Sequence, residues 1–136
     1  MYKNPALTVD GIVETKNGIV LIKRKNDPYK GNWALPGGFV DYGEKVETAL
    51  FREMKEEISV DVKIKRLLGI WSEPQRDPRG HTVSVVYIAE YNGNIDQIKA
   101  ADDAMEVNIT NNPLALELAF DHAEIIGEYY KRQWRV

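Results

Sequence analysis

The chain has 136 residues, 43% of them hydrophobic, with no cysteine and a formal net charge of -3. That length suits one domain, residues 1–136, around a single core and leaves no room for a second; the lack of cysteine excludes disulfides and thiolate metal sites and accords with a reducing compartment. With Lys and Arg spread along a net-negative chain, general nucleic-acid affinity is excluded, so a polyanionic ligand has to be met locally by a cation and a few arginines.

The opening residues MYKNPALTVDG contain no basic stretch followed by an apolar one, and no run approaches the length that spans a bilayer. The expectation is a soluble, cytoplasmic protein with no membrane partner. Residues 7–14 and 19–25 read as paired strands about Lys16-Asn17-Gly18, because Asn-Gly accepts the positive φ of a tight hairpin. Trp33-Ala34-Leu35-Pro36-Gly37-Gly38 then places two glycines where the backbone must bend sharply or approach a ligand closely, because glycine reaches positive φ without steric cost. Residues 39–40 read as a short strand, followed by a helix carrying the acids. Residues 62–71 and 82–91 are β-rich, with 74–80 between them; 100–112 reads as a loop with a short strand at 107–110, and 121–134 as a closing helix. No repeat, low-complexity segment or linker interrupts this order, which suits the α/β class: a mixed sheet between helices.

The acid-bearing helix carries the chemistry. Val46, Leu50, Met54 and Ile58 recur every four residues and step round by about 40°, so they form a buried arc, with Phe51 at its end. Glu53, Glu56 and Glu57 stand at i, i+3 and i+4 and leave the same side, repelling one another by a few tenths of a kcal/mol per pair. On the helical wheel Glu57 projects between Val46 and Leu50 and Glu53 lies beside Val46, while Lys45, Thr48, Arg52 and Lys55 form the opposite, solvated side. Carboxylates bordering a core call for a positive charge among them. Hard oxygen ligands select Mg2+, with Mn2+ the alternative. Arg52 and Glu44 read as an ion pair that orients the acids.

The run Gly38, five residues, Glu44, seven residues, Arg52-Glu53-Met54-Lys55-Glu56-Glu57-Ile58-Ser59-Val60 resembles the Nudix box, the signature of the Nudix hydrolases. It departs from that pattern at one position, where Ser59 replaces a glycine; a left-handed residue with a β-carbon costs roughly 1 kcal/mol there and removes no ligand. The resemblance implies an α/β/α sandwich in which the box forms a loop-helix-loop against a mixed sheet. It implies metal held by Glu53, Glu56 and Glu57 with the Gly37 carbonyl, and metal-assisted hydrolysis of a nucleoside diphosphate linked to another moiety. Glu53, Glu56 or a loop acid would be the base. Many Nudix enzymes are dimers, and residues 129–134 are the segment considered for a homodimer interface.

The flanks resemble the Nudix ADP-ribose pyrophosphatases, in the segment Ser72 to His81, with Pro74 fifteen residues beyond Ser59, and in Phe120-Asp121-His122-Ala123. ADP-ribose would then be the nucleotide partner, cleaved to AMP and ribose 5-phosphate. A nucleoside triphosphate pyrophosphohydrolase and a non-catalytic nucleotide-sensing domain stand as alternatives. Arg76 and Arg79 are the phosphate-binding candidates, and Gly38 a second substrate contact. Trp33 and Trp71 are weighed between adenine stacking and core packing, and His81 and His122 are read as structural. Asp102, Asp103 and Glu106 are candidates for an extra carboxylate, with no choice among them.

Overall fold

The computed structural model describes residues 3–133. In chain order the elements are β1 (Ala6–Thr15), β2 (Gly18–Arg24), β3 (Trp33–Ala34), β4 (Gly37–Phe39), α1 (Val46–Ile58), β5 (Lys63–Trp71), β6 (Thr82–Glu90), β7 (Ala104–Thr110) and α2 (His122–Gln133). Among the described residues no helix is long and apolar enough to cross a membrane.

The main path of the sheet runs β3-β2-β1-β6-β5, with β4 added on β1 and β7 on β2. β1 lies parallel to β6, from Ala6 opposite Thr82 to Glu14 opposite Glu90, and the other pairings are antiparallel, so the sheet is mixed as expected. The Lys16-Asn17 turn brings β1 and β2 together only at Glu14↔Ile19 and Thr15↔Gly18. Beyond that the two strands part, and the segment carrying the two glycines fills the gap. β3 pairs with β2 at Ile22↔Ala34, and β4 pairs with β1 at Thr8↔Phe39, Val9↔Gly38 and Asp10↔Gly37. The Gly11 N–H donates to the Pro36 carbonyl at 2.9 Å across this crossing. The splayed hairpin is what opens the sheet to the acid helix.

Strand alternation divides the core in two. On one face Val9, Val13, Val20 and Ile22 pack with Ala49, Leu50, Met54 and Ile58 of α1; on the other Ile12, Ile19, Leu21, Val86 and Ile88 pack with Ile125, Ile126 and Tyr129 of α2. A helix on each face of a mixed sheet is the sandwich the sequence led one to expect.

The wheel of α1 needs two corrections. Phe51 stands 41% exposed instead of closing the apolar arc, because Ala49 takes the buried position beside Leu50. Arg52, placed on the solvated side, is half-buried, drawn inward by its carboxylates. β7 begins at Ala104 and not at 107, since β2 offers a full-length partner from Ile19 to Arg24. Ser59 takes the left-handed conformation, φ 71°, and its hydroxyl donates to the Lys99 carbonyl at 2.8 Å. Trp134, in the segment considered for dimerisation, lies outside the described residues.

Candidate active site

α1 presents its acids at the splayed edge of β1. Glu57 is 8% exposed, and its Oε1 accepts a hydrogen bond from the Gly37 N–H at 2.7 Å. Burial pushes its carboxyl up to about 8, against the Gly37 bond and reinforced by Glu53, Asp10 and Asp103. Glu53 is raised as well, chiefly by burial. Arg52 braces the group: Nε and Nη2 reach both oxygens of Glu44 at 2.8 and 3.0 Å, while Nη1 reaches Glu53 at 2.8 Å and Glu56 at 3.2 Å. Those bonds from Arg52 hold Glu44 down at about 2, and Glu44 in turn accepts the Asp41 N–H at 3.0 Å. The expected Arg52–Glu44 pair is thus present.

The two glycines are needed for a different reason than the sequence suggested. Neither has positive φ; both are required for space. A β-carbon on Gly38 would come within 2.6 Å of the Glu53 carboxylate, and one on Gly37 would fall on the Val9 carbonyl and on Asp10 Oδ1. Gly37 is therefore what lets β4 lie against the β1 backbone, and Gly38 what leaves room for the Glu53 carboxylate.

A cavity of about 350 Å3 opens beside these acids. Arg52, Glu53 and Glu57 line it, with Gly37, Gly38, Asp10, Arg24, Arg76, Arg79, Asp103, Phe39, Phe120 and His122. Of the candidate loop acids only Asp103 reaches it; Asp102 sits in a left-handed backbone position at φ 49°, and Glu106 pairs with Lys23 at 3.9 Å. Glu44 and Glu56 stand behind or outside the lining and touch it through Arg52.

Arg76 and Arg79 both line the cavity, but each already has a carboxylate. Arg76 is bidentate to Asp121 at 2.8 and 2.6 Å and donates to Thr82 Oγ1 at 3.0 Å; Arg79 grips Asp77, with Nη2 at 2.8 Å. Arg79 also lies between two rings, 5.1 Å from the centroid of Phe39 and 5.6 Å from that of Phe120. Trp33 and Trp71 pack against the cluster under α2 and do not line the cavity. His81 is exposed, its Nε2 3.0 Å from the Ser72 carbonyl. His122 is buried, accepts the Leu35 N–H at Nδ1, and is held neutral by burial.

Sequence reasoning missed Asp10, Arg24, Asp77, Phe39 and Phe120 as lining residues. Asp10 carried a readable signal, a charge inside the apolar strand LTVDGIV. Arg24 is held by a 2.7 Å bond from Nε to the Pro28 carbonyl, lies 4.9 Å from the Phe120 ring centroid, and makes no ion pair among the described residues.

The donor set can be tested for a divalent cation. No group of three acids or histidines among the described residues converges on one point, because Arg52 Nη1 sits between Glu53 and Glu56 and Gly37 holds Glu57. The set is nevertheless all hard oxygen, and Glu57, buried with Glu53, Asp10 and Asp103 acting on it, makes no ion pair among the described residues, an excess of negative charge that a divalent ion would offset. The residues fit such an ion.

An acid helix braced by one guanidinium, with a glycine strand laid against it and a cavity lined by arginines and carboxylates beside it, defines the class of divalent-metal hydrolases acting on phosphate anhydrides. The NUDIX domain model matches residues 4–129. An ADP-ribose pyrophosphatase of Methanocaldococcus jannaschii is 51% identical over 131 residues, 96% of this chain and 76% of that one. The NUDIX domain of Shewanella oneidensis NrtR, crystallised with ADP ribose, superposes with a TM-score of 0.86 at 31% identity, covering 97% of this chain and 90% of that one. A bifunctional NMN adenylyltransferase/ADP ribose pyrophosphatase of Francisella tularensis, complexed with AMP and a Mn ion, gives a TM-score of 0.82 at 29% identity over 96% of this chain and 42% of its own. The chain belongs to the Nudix family.

Proposed function

We propose that this chain hydrolyses ADP-ribose to AMP and ribose 5-phosphate, with Mg2+ as the working cation and Mn2+ able to replace it. The observation that carries the reading is the joining of Glu57 to Gly37 and of Arg52 to Glu44, Glu53 and Glu56 at the edge of a guanidinium-lined cavity. The 51% identity to an ADP-ribose pyrophosphatase supports the choice of substrate.

Glu53, Glu56 and Glu57, with the Gly37 carbonyl, would hold the cation; when bound, it supplies neutralisation of the diphosphate oxygens and activation of a water. The chain's own groups do the rest. Arg52, fixed by Glu44, keeps Glu53 and Glu56 turned to one side, where they would serve as ligands to the cation. Gly38 leaves the space that Glu53 occupies and lets the diphosphate approach the backbone. Arg76 and Arg79 hold positive charge near the phosphates without surrendering their carboxylate partners. The water oxygen bonds to one phosphorus as the bridging P–O bond breaks, and the proton passes to Glu53, Glu56 or Asp103.

A hydrolysis panel with resolved products tests this: ADP-ribose, NADH, dinucleoside polyphosphates, sugar nucleotides and nucleoside triphosphates, each with Mg2+ and with Mn2+. AMP formed preferentially from ADP-ribose is the expected result. Pyrophosphate released from triphosphates would move the chain to nucleotide-pool cleaning, and binding of ADP-ribose without turnover would make it a sensor.

A further inference from the structure

Two donors on the cavity wall, one on His122 and one on Arg24, have no partner among the described residues. His122, the first residue of α2, is 4% exposed and accepts the Leu35 N–H at Nδ1, 3.0 Å away. A ring nitrogen that accepts carries no proton, so the imidazole, held neutral by burial, has its hydrogen on Nε2. No buried side-chain nitrogen or oxygen among the described residues is left unsatisfied; Nε2, which has no partner there, is therefore not enclosed and faces the cavity that the ring lines. The carboxylates that act on the ring are engaged elsewhere, Asp121 with Arg76 and Asp10 with Ser84. Arg24 spends Nε on the Pro28 carbonyl, and its Nη atoms bond to nothing among the described residues, whereas Arg52, Arg76 and Arg79 each hold a carboxylate. The two donors share one neighbour: the Phe120 ring centroid lies 4.9 Å from the Arg24 guanidinium and 5.5 Å from the imidazole centroid. A hydroxyl would satisfy the imidazole alone. An anionic oxygen group satisfies a neutral N–H and an uncompensated guanidinium together, and phosphate is such a group.

We propose that His122 is a substrate-binding residue: its Nε2–H, beside the Arg24 guanidinium, donates to a phosphoryl oxygen of the bound nucleotide. This rests on the reading of the cavity as a diphosphate site and gives a task to a ring that the sequence marked as structural. Arg76 and Arg79, committed to Asp121 and Asp77, then supply positive field, while His122 and Arg24 supply bonds. The Leu35 N–H fixes both the rotation and the tautomer of the ring, and so keeps the Nε2 hydrogen turned to the ligand.

The chain has two histidines and His81 is exposed, so ring-nitrogen NMR of the wild type reads His122 without any substitution. AMP and ribose 5-phosphate, which hold no anhydride to cleave, are titrated with Mg2+ present, beside adenosine and ribose. The expected result is a protonated Nε2 whose signal moves with AMP or with ribose 5-phosphate and not with adenosine or ribose; the product that acts names the half of the substrate being held. Two variants separate the ring's two bonds. His122→Asn keeps an acceptor for the Leu35 N–H and has no donor at the Nε2 position, so its affinity for that product is expected to fall about ten- to a hundredfold with little change of the urea midpoint. His122→Gln restores an N–H at the Nε2 position and gives up the Leu35 acceptor, so it is expected to lose stability and keep most of the affinity. An Nε2 signal unmoved by both products, equal movement with adenosine or ribose, or an Asn variant that binds like the wild type would overturn the proposal. If both variants fail to fold, the wild-type spectrum decides. Failure of the wild type to hydrolyse ADP-ribose would remove the substrate reading alone, because the phosphate-dependent shift is read without turnover.

Discussion

Glu57 Oε1 and the Gly37 amide, twenty residues apart in sequence, are joined by a 2.7 Å hydrogen bond that ties the acid helix to the glycine strand. That bond places the most buried acid of α1 against β4, so Glu57 belongs to the sheet's architecture as much as to the helix.

Glu56→Gln and Glu57→Gln are each expected to lower turnover by about two orders of magnitude or more, as loss of a catalytic metal ligand does, while retaining the fold. Glu47→Gln, on the first turn of α1 and away from the acid cluster, is expected to leave activity unchanged. Steady-state rates with saturating Mg2+, beside circular dichroism of each variant, check this; near-normal activity in either variant would reject the assigned ligands.

Metal-free protein is expected to lose stability as the solution is made alkaline. Glu57 is raised from 4.5 to about 8 in the folded state, so its protonated form favours folding. That contribution is complete below about pH 4.5 and is lost as pH rises through about 8. Divalent cation binds the ionised carboxylate, so the stabilisation by added Mg2+ grows over the same interval. Melting temperatures between pH 5 and 9, with chelator and with Mg2+, measure both trends, and Glu57→Gln should flatten them.

Gly37→Ala and Gly38→Ala are expected to fail differently although they are neighbours. The added carbon on Gly37 meets backbone of β1, so the β1–β4 pairing must shift, at about 1–3 kcal/mol of stability. On Gly38 it meets only the end of the Glu53 side chain, at 2.6 Å, which can swing away. Denaturant unfolding should register the first change and barely the second, while activity should fall in both.

Ser59 separates strain from bonding. Ser59→Ala keeps the left-handed cost and loses the bond to the Lys99 carbonyl, whereas Ser59→Gly loses the bond and the cost together. Ala is expected to be less stable than Gly by about 1 kcal/mol. Equal midpoints in urea would mean that φ 71° is not costly here.

The site was legible in the sequence where its geometry is local. Glu53, Glu56 and Glu57 share a helix, so spacing alone places them on one side, and Arg52 reaches Glu44 within the same segment. Arg24 was not legible, and Asp10 showed only as a charge in an apolar strand, because their place beside the acids depends on how far β1 and β2 splay, which no local pattern encodes. The same holds for Arg76: its sequence surroundings made it a phosphate-binding candidate, and only the fold brings Asp121, forty-five residues on, within 2.6 Å of it. Trp33 and Trp71 show the converse, large rings near the right motifs that the sheet turns toward α2.

The parallel pairing of β1 with β6 has a consequence for synthesis. β1 has no sheet neighbour on that side until Thr82 and its successors have been made, and the cavity gains Asp103, Phe120 and His122 later still. Pairings between such distant segments form slowly, since the loop between them must be closed first. During translation the glutamates of α1 therefore emerge well before the pocket that would confine a nucleotide beside them, and any fragment ending ahead of α2 would carry the whole Nudix box without a completed place for its substrate.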